Sequence, residues 1–249
     1  LRHYRGGAGP GREAVAMRWL AGLVLLLAAC GGPSAPPDVT PEATPTVTTP
    51  APEPVTADPQ VKRLPDDQWR AMQQAGVIRA GCPAIRADLR RVEVNFHTFG
   101  GGVRRGVLVV NRDVAREVAA IFRDIFDAGF PMRSMRPIEQ FDGDDNASMA
   151  ANNTSAYNCR QAGQANSAAA DSPHANGRAI DINPVQNPWL DPRCDCFMPT
   201  ARFAERTPGR GKILRGGAVW RAFTKRGWIW QDLRTPDFQH FDTGFPSRP

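Results

Sequence analysis

Residues that carry most side-chain chemistry are scarce in this chain. Its 249 residues include four histidines, two tyrosines and five cysteines. A site that uses histidine therefore has few places to be. The apolar run Leu20–Ala29 falls short of the about 20 residues that a membrane-spanning helix needs. No dense Lys/Arg stripe interleaved with aromatics occurs, so a nucleic-acid partner is not expected. The formal net charge of +6 is also less than it looks. Residues 1–29 hold Arg2, Arg5, Arg12 and Arg18 against Glu13, and removing their +3 leaves about +3. That mild excess suits an anionic surface.

What is present starts with punctuation at the N-terminal end. Met17 and Arg18 precede "LAGLVLLLAAC", an apolar stretch of the size found in secretory signals. Its ending, "LAAC", resembles the lipobox of bacterial lipoproteins. The resemblance implies cleavage before Cys30 and diacylglycerol on the Cys30 sulfur; residues 1–29 are then the signal peptide, with residues 1–16 either upstream of a start at Met17 or an extension of the basic region. Residues 30–64 then change composition, with nine prolines from Pro33 to Pro59 among Thr, Ala and Val. Such a segment favours extended polyproline conformations over a packed core. About 30 residues at roughly 3.1 Å each reach on the order of 90 Å. The expected organisation is a lipid-anchored tether carrying one domain over residues 65–249.

Within that domain the elements are mixed. "DDQWRAMQQAGV" (66–77) predicts a helix with acidic residues at its start. "RRVEVNFHTF" (90–99) and "GGVRRGVLVVN" (101–111) predict a hairpin. Val114, Val118, Ile121, Ile125 and Phe126 recur at helical spacing over 112–129. "FPMRSMRPI" predicts a strand and turn, residues 139–170 a long loop, and "GGAVWRAFTKRGWIW" (216–230) a helix and an aromatic strand. No regular βαβ rhythm appears, so the expected class is α+β, a small antiparallel sheet flanked by helices.

Outside the signal, histidine is confined to His97, His174 and His240. His174 lies in "DSPHANGRAIDINP". Gly177 allows a bend there, and "AIDIN" predicts a strand. Ile180 and Ile182 then face a core, while Ala179, Asp181 and Asn183 face the other way. A bare aspartate on a half-buried strand is costly unless something pairs with it. A metal ion shared with His174 would do so. His240 lies in "TPDFQHFDTGF", three residues after Asp237. Those two positions face opposite sides of a straight strand, and a turn after Pro236 would bring them together.

The pattern S-x-H-x-x-G-x-A-x-D in "SPHANGRAIDIN", followed by "DFQHF", resembles the VanY-type zinc D-alanyl-D-alanine carboxypeptidases and the related L-alanyl-D-glutamate peptidases. The resemblance covers roughly residues 90–245, with support from "GVLVVN", "MRPIEQFDGDDNASMAANNTSAYNCR" and "GWIW". It implies a hedgehog/DD-peptidase-like fold and one Zn2+ held by His174, Asp181 and His240. Those residue types suit a catalytic zinc, which keeps a fourth position open. Asp237 stands at the family's general-base position, where many relatives carry Glu. In "SMRP", Arg136 matches the family's oxyanion-stabilising arginine, with Met135 in place of an aromatic residue. Arg160 is the rival, and either guanidinium also suits a substrate carboxylate. Ser172 is a candidate substrate contact or a turn cap. His97, on a strand beside aromatic residues, is expected to be structural.

The resemblance implies an extracytoplasmic hydrolase facing the cell wall. Its partners would be peptidoglycan stem peptides and, through Cys30, the membrane. A monomer is expected. A non-catalytic zinc-stabilised wall-binding module is the alternative. Cys82, Cys159, Cys194 and Cys196 suggest two disulfides in an exported chain. A Cys194–Cys196 bridge would close a very small ring. The expected pairing therefore sends these two cysteines to Cys82 and Cys159, in either order. A second metal site in "CDC" is the rival.

Overall fold

The computed structural model describes residues 55–160, 172–231 and 235–244. Every described residue lies in one compact unit, residues 52–249. The expected signal peptide, Cys30 and most of the tether lie outside the described residues.

Strand β1 (Gln60–Arg63) leads into helix α1 (Asp66–Gln74). Ala57 and Leu64 are buried. The fold therefore already includes residues 57–64, within the segment that composition assigns to the tether. Polar β1 (QVKR) is recruited by backbone pairing with the next strand rather than by its own apolar content.

The predicted hairpin forms as β2 (Leu89–Thr98) and β3 (Val103–Asn111), paired in register from Leu89↔Asn111 to His97↔Val103. Helix α2 (Ala115–Asp127) buries Val118, Ile121, Phe122 and Ile125 as one stripe, together with β2 residues Val92, Val94 and Phe96. On β3, Leu108 and Val110 join that cluster. Val109, between them, joins a second cluster with Met72, Tyr157 and Ala175. Alternation along β3 thus leaves it covered on both faces. His97 stacks on Phe126 at 4.2 Å between ring centroids, a packing role as expected.

Short strands β4 (Pro131–Met132) and β5 (Ser134–Met135) follow. β4 adds parallel to β2. Met135 packs so closely on Gly106 that a Cβ there would lie 2.6 Å from its Sδ. The expected long loop carries structure in its described part. Helix α3 (Asp145–Ala150) is capped by the Asp144 carboxylate, which accepts from Ala147 N at 3.1 Å. Strand β6 (Asn153–Thr154) pairs with β5. Residues 161–170 of that loop lie outside the described residues.

The second sheet holds β7 (Ala179–Asp181), β8 (Trp189–Asp191), β9 (Cys196–Met198), β10 (Ile229–Gln231) and β11 (Asp237–Asp242), with helix α4 (Ala218–Thr224) before β10. β11 pairs with β7, β8 and β10, all antiparallel. The class is α+β, as expected, and the two larger sheets are antiparallel apart from the short parallel pairing of β4 with β2. Among the described residues, no helix is long and apolar enough to cross a membrane.

The disulfides correct the expected pairing. Cys82 joins Cys159, and Cys194 joins Cys196. The small ring is possible because both cysteines flank Asp195 at the tip of the β8–β9 hairpin. Asp195 takes a φ of 51°, and the two Cα atoms stand 5.2 Å apart, within normal disulfide reach. The Cys82–Cys159 bridge closes over the second core cluster.

The turn that carries His174 is docked on the end of β3. Asn111 N donates to Gly177 O at 2.8 Å, and Asn111 Nδ2 donates to Asn176 O at 3.0 Å. Gly177 has a φ of +70°, and a Cβ there would lie 2.7 Å from Asn111 N. Gly177→Ala should therefore cost about 1–3 kcal/mol from backbone strain, plus the displacement needed to relieve the clash. Urea unfolding of the variant measures it; unchanged stability would contradict this docking.

Candidate metal centre

His174 sits in a tight turn, residues 172–178. Ser172 O accepts from Asn176 N at 3.1 Å, His174 O from Gly177 N at 3.0 Å, and Pro173 O from Arg178 N at 2.8 Å. Ser172 is buried, and its Oγ accepts from Ala175 N at 3.4 Å. Its place in the structure is thus that of a turn cap.

β7 delivers Asp181 beside His240, because the two are direct cross-strand partners. Ile180 and Ile182 enter the main core, as the alternation predicts. On its other edge, Asp181 bridges Ser155 through both backbone hydrogen bonds, 3.0 and 2.9 Å. The next carbonyl, Ala156 O, lies 2.6 Å from His174 Nδ1. One short segment thus aligns both the aspartate and the first histidine.

The hydrogen bonds dictate the tautomers. A carbonyl only accepts, so His174 carries a proton on Nδ1 and turns Nε2 inward. His240 Nε2 lies 3.2 Å from Asp242 Oδ2 and donates to it. Its Nδ1 faces inward, 3.1 Å from His174 Nε2 and 2.9 Å from Asp181 Oδ1. Asp181 Oδ2 is 3.3 Å from His174 Nε2. One ligand atom from each of the three buried residues thus falls within 4.8 Å of the others. Two imidazole lone pairs and a carboxylate cannot share this space unless a cation or a proton sits among them.

Electrostatics agree. Burial alone would lower the His240 pKa, but hydrogen bonds to Asp181 and Asp242 push it up to about 10. Burial would raise the Asp181 pKa, yet His174 and His240 hold it well below the carboxylate range. The donor set of two imidazole nitrogens and one carboxylate oxygen fits zinc.

Asp242 escaped sequence reasoning. It is buried; its Oδ1 accepts from Gly244 N at 2.6 Å, and its Oδ2 from Gln231 Nε2 at 2.8 Å. It therefore orients His240 from behind, as carboxylates commonly do for metal-binding histidines. The signal was available: Asp242 follows His240 by two, so both side chains leave the same face of a strand.

Asp237 reaches the same place through an irregularity. Trp230 pairs with Phe241, but the next residue, Gln231, pairs with Asp237. β11 bulges between these pairs, and Trp230 Nε1 holds the bulge by donating to Phe238 O at 2.8 Å. Bulges re-aim side chains in this way, so Asp237 and His240 need not face opposite sides. Burial, opposed by His240 and reinforced by Asp181, pushes the Asp237 pKa up to about 7. Its Oδ1 has no hydrogen-bond partner among the described residues.

Neither candidate arginine bonds to these groups among the described residues. Arg136 is exposed after β5. Its Nε donates to Ser134 Oγ at 3.2 Å, and its guanidinium lies 4.5 Å from the Phe141 ring centre. Arg160 is bound to Asp145, Nε to Oδ2, at 3.1 Å. Asn158 bonds the same carboxylate through Nδ2, and its backbone N donates to His174 O. Arg160 thus braces the turn from behind. A second unforeseen knot is Arg206, which donates to Asn187 Oδ1 and to the carbonyls of Gln186, Phe203 and Ile213. It secures the segment leading from β7 toward α4.

Metal and proton compete for the same lone pairs. Because His240 holds its proton up to about pH 10, apparent zinc affinity should rise with pH, by about tenfold per unit for one displaced proton. Asp242→Asn should weaken zinc by about 10-fold while the fold persists. A chelator-competition titration at several pH values checks both. A pH-independent affinity, or an unchanged affinity in the variant, would contradict the assignment.

Neither the curated proteins nor the solved structures compared with the chain match it. Residues 165–243 match a family model described as D-alanyl-D-alanine carboxypeptidase. That interval contains His174, Asp181, Asp237, His240 and Asp242. The resemblance carried by "SPHANGRAIDIN" and "DFQHF" is thereby shown: over residues 165–243 the chain is similar to the VanY-type D-alanyl-D-alanine carboxypeptidase family.

Proposed function

We propose that this domain is a zinc metallopeptidase that hydrolyses peptide bonds in peptidoglycan stem peptides, on a hedgehog/DD-peptidase-like fold. The convergence of His174 Nε2, Asp181 and His240 Nδ1 beside Asp237, inside the peptidase-family segment, carries the reading. His174, Asp181 and His240 would hold one zinc. When bound, zinc supplies Lewis acidity, polarising a peptide carbonyl and making water more acidic.

The chain's own groups do the rest. Asp237 takes a proton from the attacking water at Oδ1, the oxygen without a partner. It then gives that proton to the leaving amine as the carbon–nitrogen bond breaks and the new carbon–oxygen bond is kept. A carboxyl pushed up to about 7 is suited to both transfers near neutral pH. Arg136, exposed at the end of β5, is free to meet substrate anion, whether carboxylate or developing oxyanion. Arg160 is the less available of the two, because Asp145 engages it. Export and anchorage through Cys30 belong to the same reading. They would put the domain on the outer face of the membrane, within reach of the wall.

Asp237→Asn tests the mechanism. Zinc should stay bound, because all three ligands remain. Hydrolysis of a muropeptide should fall by roughly 100-fold or more, as for loss of a general base. In the parent enzyme, activity should be lost as the pH falls through the Asp237 pKa, since only the ionised carboxylate accepts a proton. A fully active Asp237→Asn variant would remove Asp237 from the mechanism. A zinc-free variant would make it a ligand.

A further inference from the structure

A separate concave site shares no lining residue with the metal centre. Arg63 on β1 and Arg90 on β2 are direct cross-strand partners. Like charges so placed destabilise a sheet. One position back, Lys62 faces Arg91, and there Glu93 relieves both: Lys62 Nζ lies 2.9 Å and Arg91 Nε 2.7 Å from its carboxylate. Among the described residues no carboxylate pairs with Arg63 or Arg90. Arg90 Nη1 instead donates to the carbonyls of Ala87 and Leu89, at 3.1 and 2.8 Å, which leaves its charge uncompensated.

Two further guanidinium groups line the same cleft. Arg112 follows β3, and Arg116 stands in the first turn of α2. Arg112 has only a 3.7 Å contact with exposed geometry to Asp88. Arg116 has no ion pair among the described residues. Asp113 also lines the cleft, but Arg178 already bonds its Oδ2 through Nη2 at 2.5 Å and Nε at 3.2 Å. The open cleft has a volume of about 540 Å³.

A solvated surface scatters charge and mixes signs. Here four arginines, from β1, β2, the turn after β3 and α2, line one concavity, and a directly opposed pair lacks the relief given to its neighbour. We propose that this cleft is a binding site for a phosphate-ester anion. Arginine rather than lysine dominates, and planar guanidinium forks match phosphate oxygens in pairs. The same chemistry is offered by an anionic phospholipid headgroup and by a soluble phosphate ester.

The test compares the full chain carrying Cys30→Ser, so that no acyl chain contributes, with the same chain also carrying Arg63→Gln and Arg116→Gln. Pyrophosphate binding by titration calorimetry probes the soluble source. Flotation with vesicles of phosphatidylcholine, with and without phosphatidylglycerol, probes the headgroup. Pyrophosphate affinity should fall with added salt and drop about tenfold or more in the double variant, as expected for lost guanidinium–phosphate pairs. If the headgroup is the source, the difference appears instead as phosphatidylglycerol-dependent flotation that the variant loses. The variant's thermal midpoint should equal or exceed the parent's, because a repulsion has been removed. Stem-peptide hydrolysis should be unchanged, which keeps this inference separate from the peptidase reading. Equal behaviour of parent and variant in both assays would overturn the proposal. So would competition by a dicarboxylate as effective as pyrophosphate, or a variant that is less stable and binds normally.

Discussion

Two imidazole lone pairs and one carboxylate are forced into the same buried space, and the structure around them is arranged to keep them there. Ala156 O fixes the His174 tautomer from one side, and Asp242 fixes that of His240 from the other. Both partners point the same conclusion inward: no proton of either neutral ring faces the gap between Nε2 and Nδ1. Such a cluster is unfavourable without a positive charge at its centre. The high pKa of His240 expresses that requirement when only protons are available. A divalent cation, as proposed above, would meet it more fully.

The scaffold brings these three groups together. Cross-strand pairing of Asp181 with His240 sets two of the donors side by side. The third comes from a turn in which Gly177 takes a positive φ while pressed against the backbone of Asn111, a place any side chain would strain. The hairpin, its helix and the apolar clusters on both faces of β3 are thus the support on which that turn rests. The bulge in β11 adds Asp237 without disturbing the ladder between His240 and Asp181.

Much of this was legible in the sequence. Period-2 and period-3.6 apolar patterns located β2, β3 and α2, because burial on one face imposes those periods. The scarcity of histidine pointed to His174 and His240, and alternation in "AIDIN" set Asp181 apart from the core-facing isoleucines. Other features depend on contacts that no local pattern encodes. β1 is polar and joins by backbone pairing, so composition assigned it to the tether. The Cys194–Cys196 bridge depends on a hairpin tip bent at Asp195. Arg206 acts through carbonyls and an amide oxygen that come together only in the folded chain. The cleft arginines at 63, 90, 112 and 116 are spread along the sequence, and only the sheet and α2 gather them.

Anomalous X-ray scattering at the zinc absorption edge, from crystals of the zinc-loaded protein, tests the central claim most directly. A single strong peak should appear between His174 Nε2, Asp181 and His240 Nδ1, at the roughly 2.0–2.2 Å that zinc keeps from nitrogen and oxygen ligands. Zinc found elsewhere, or this space filled only by a proton-bridged His240 and Asp181 in zinc-saturated crystals, would contradict it.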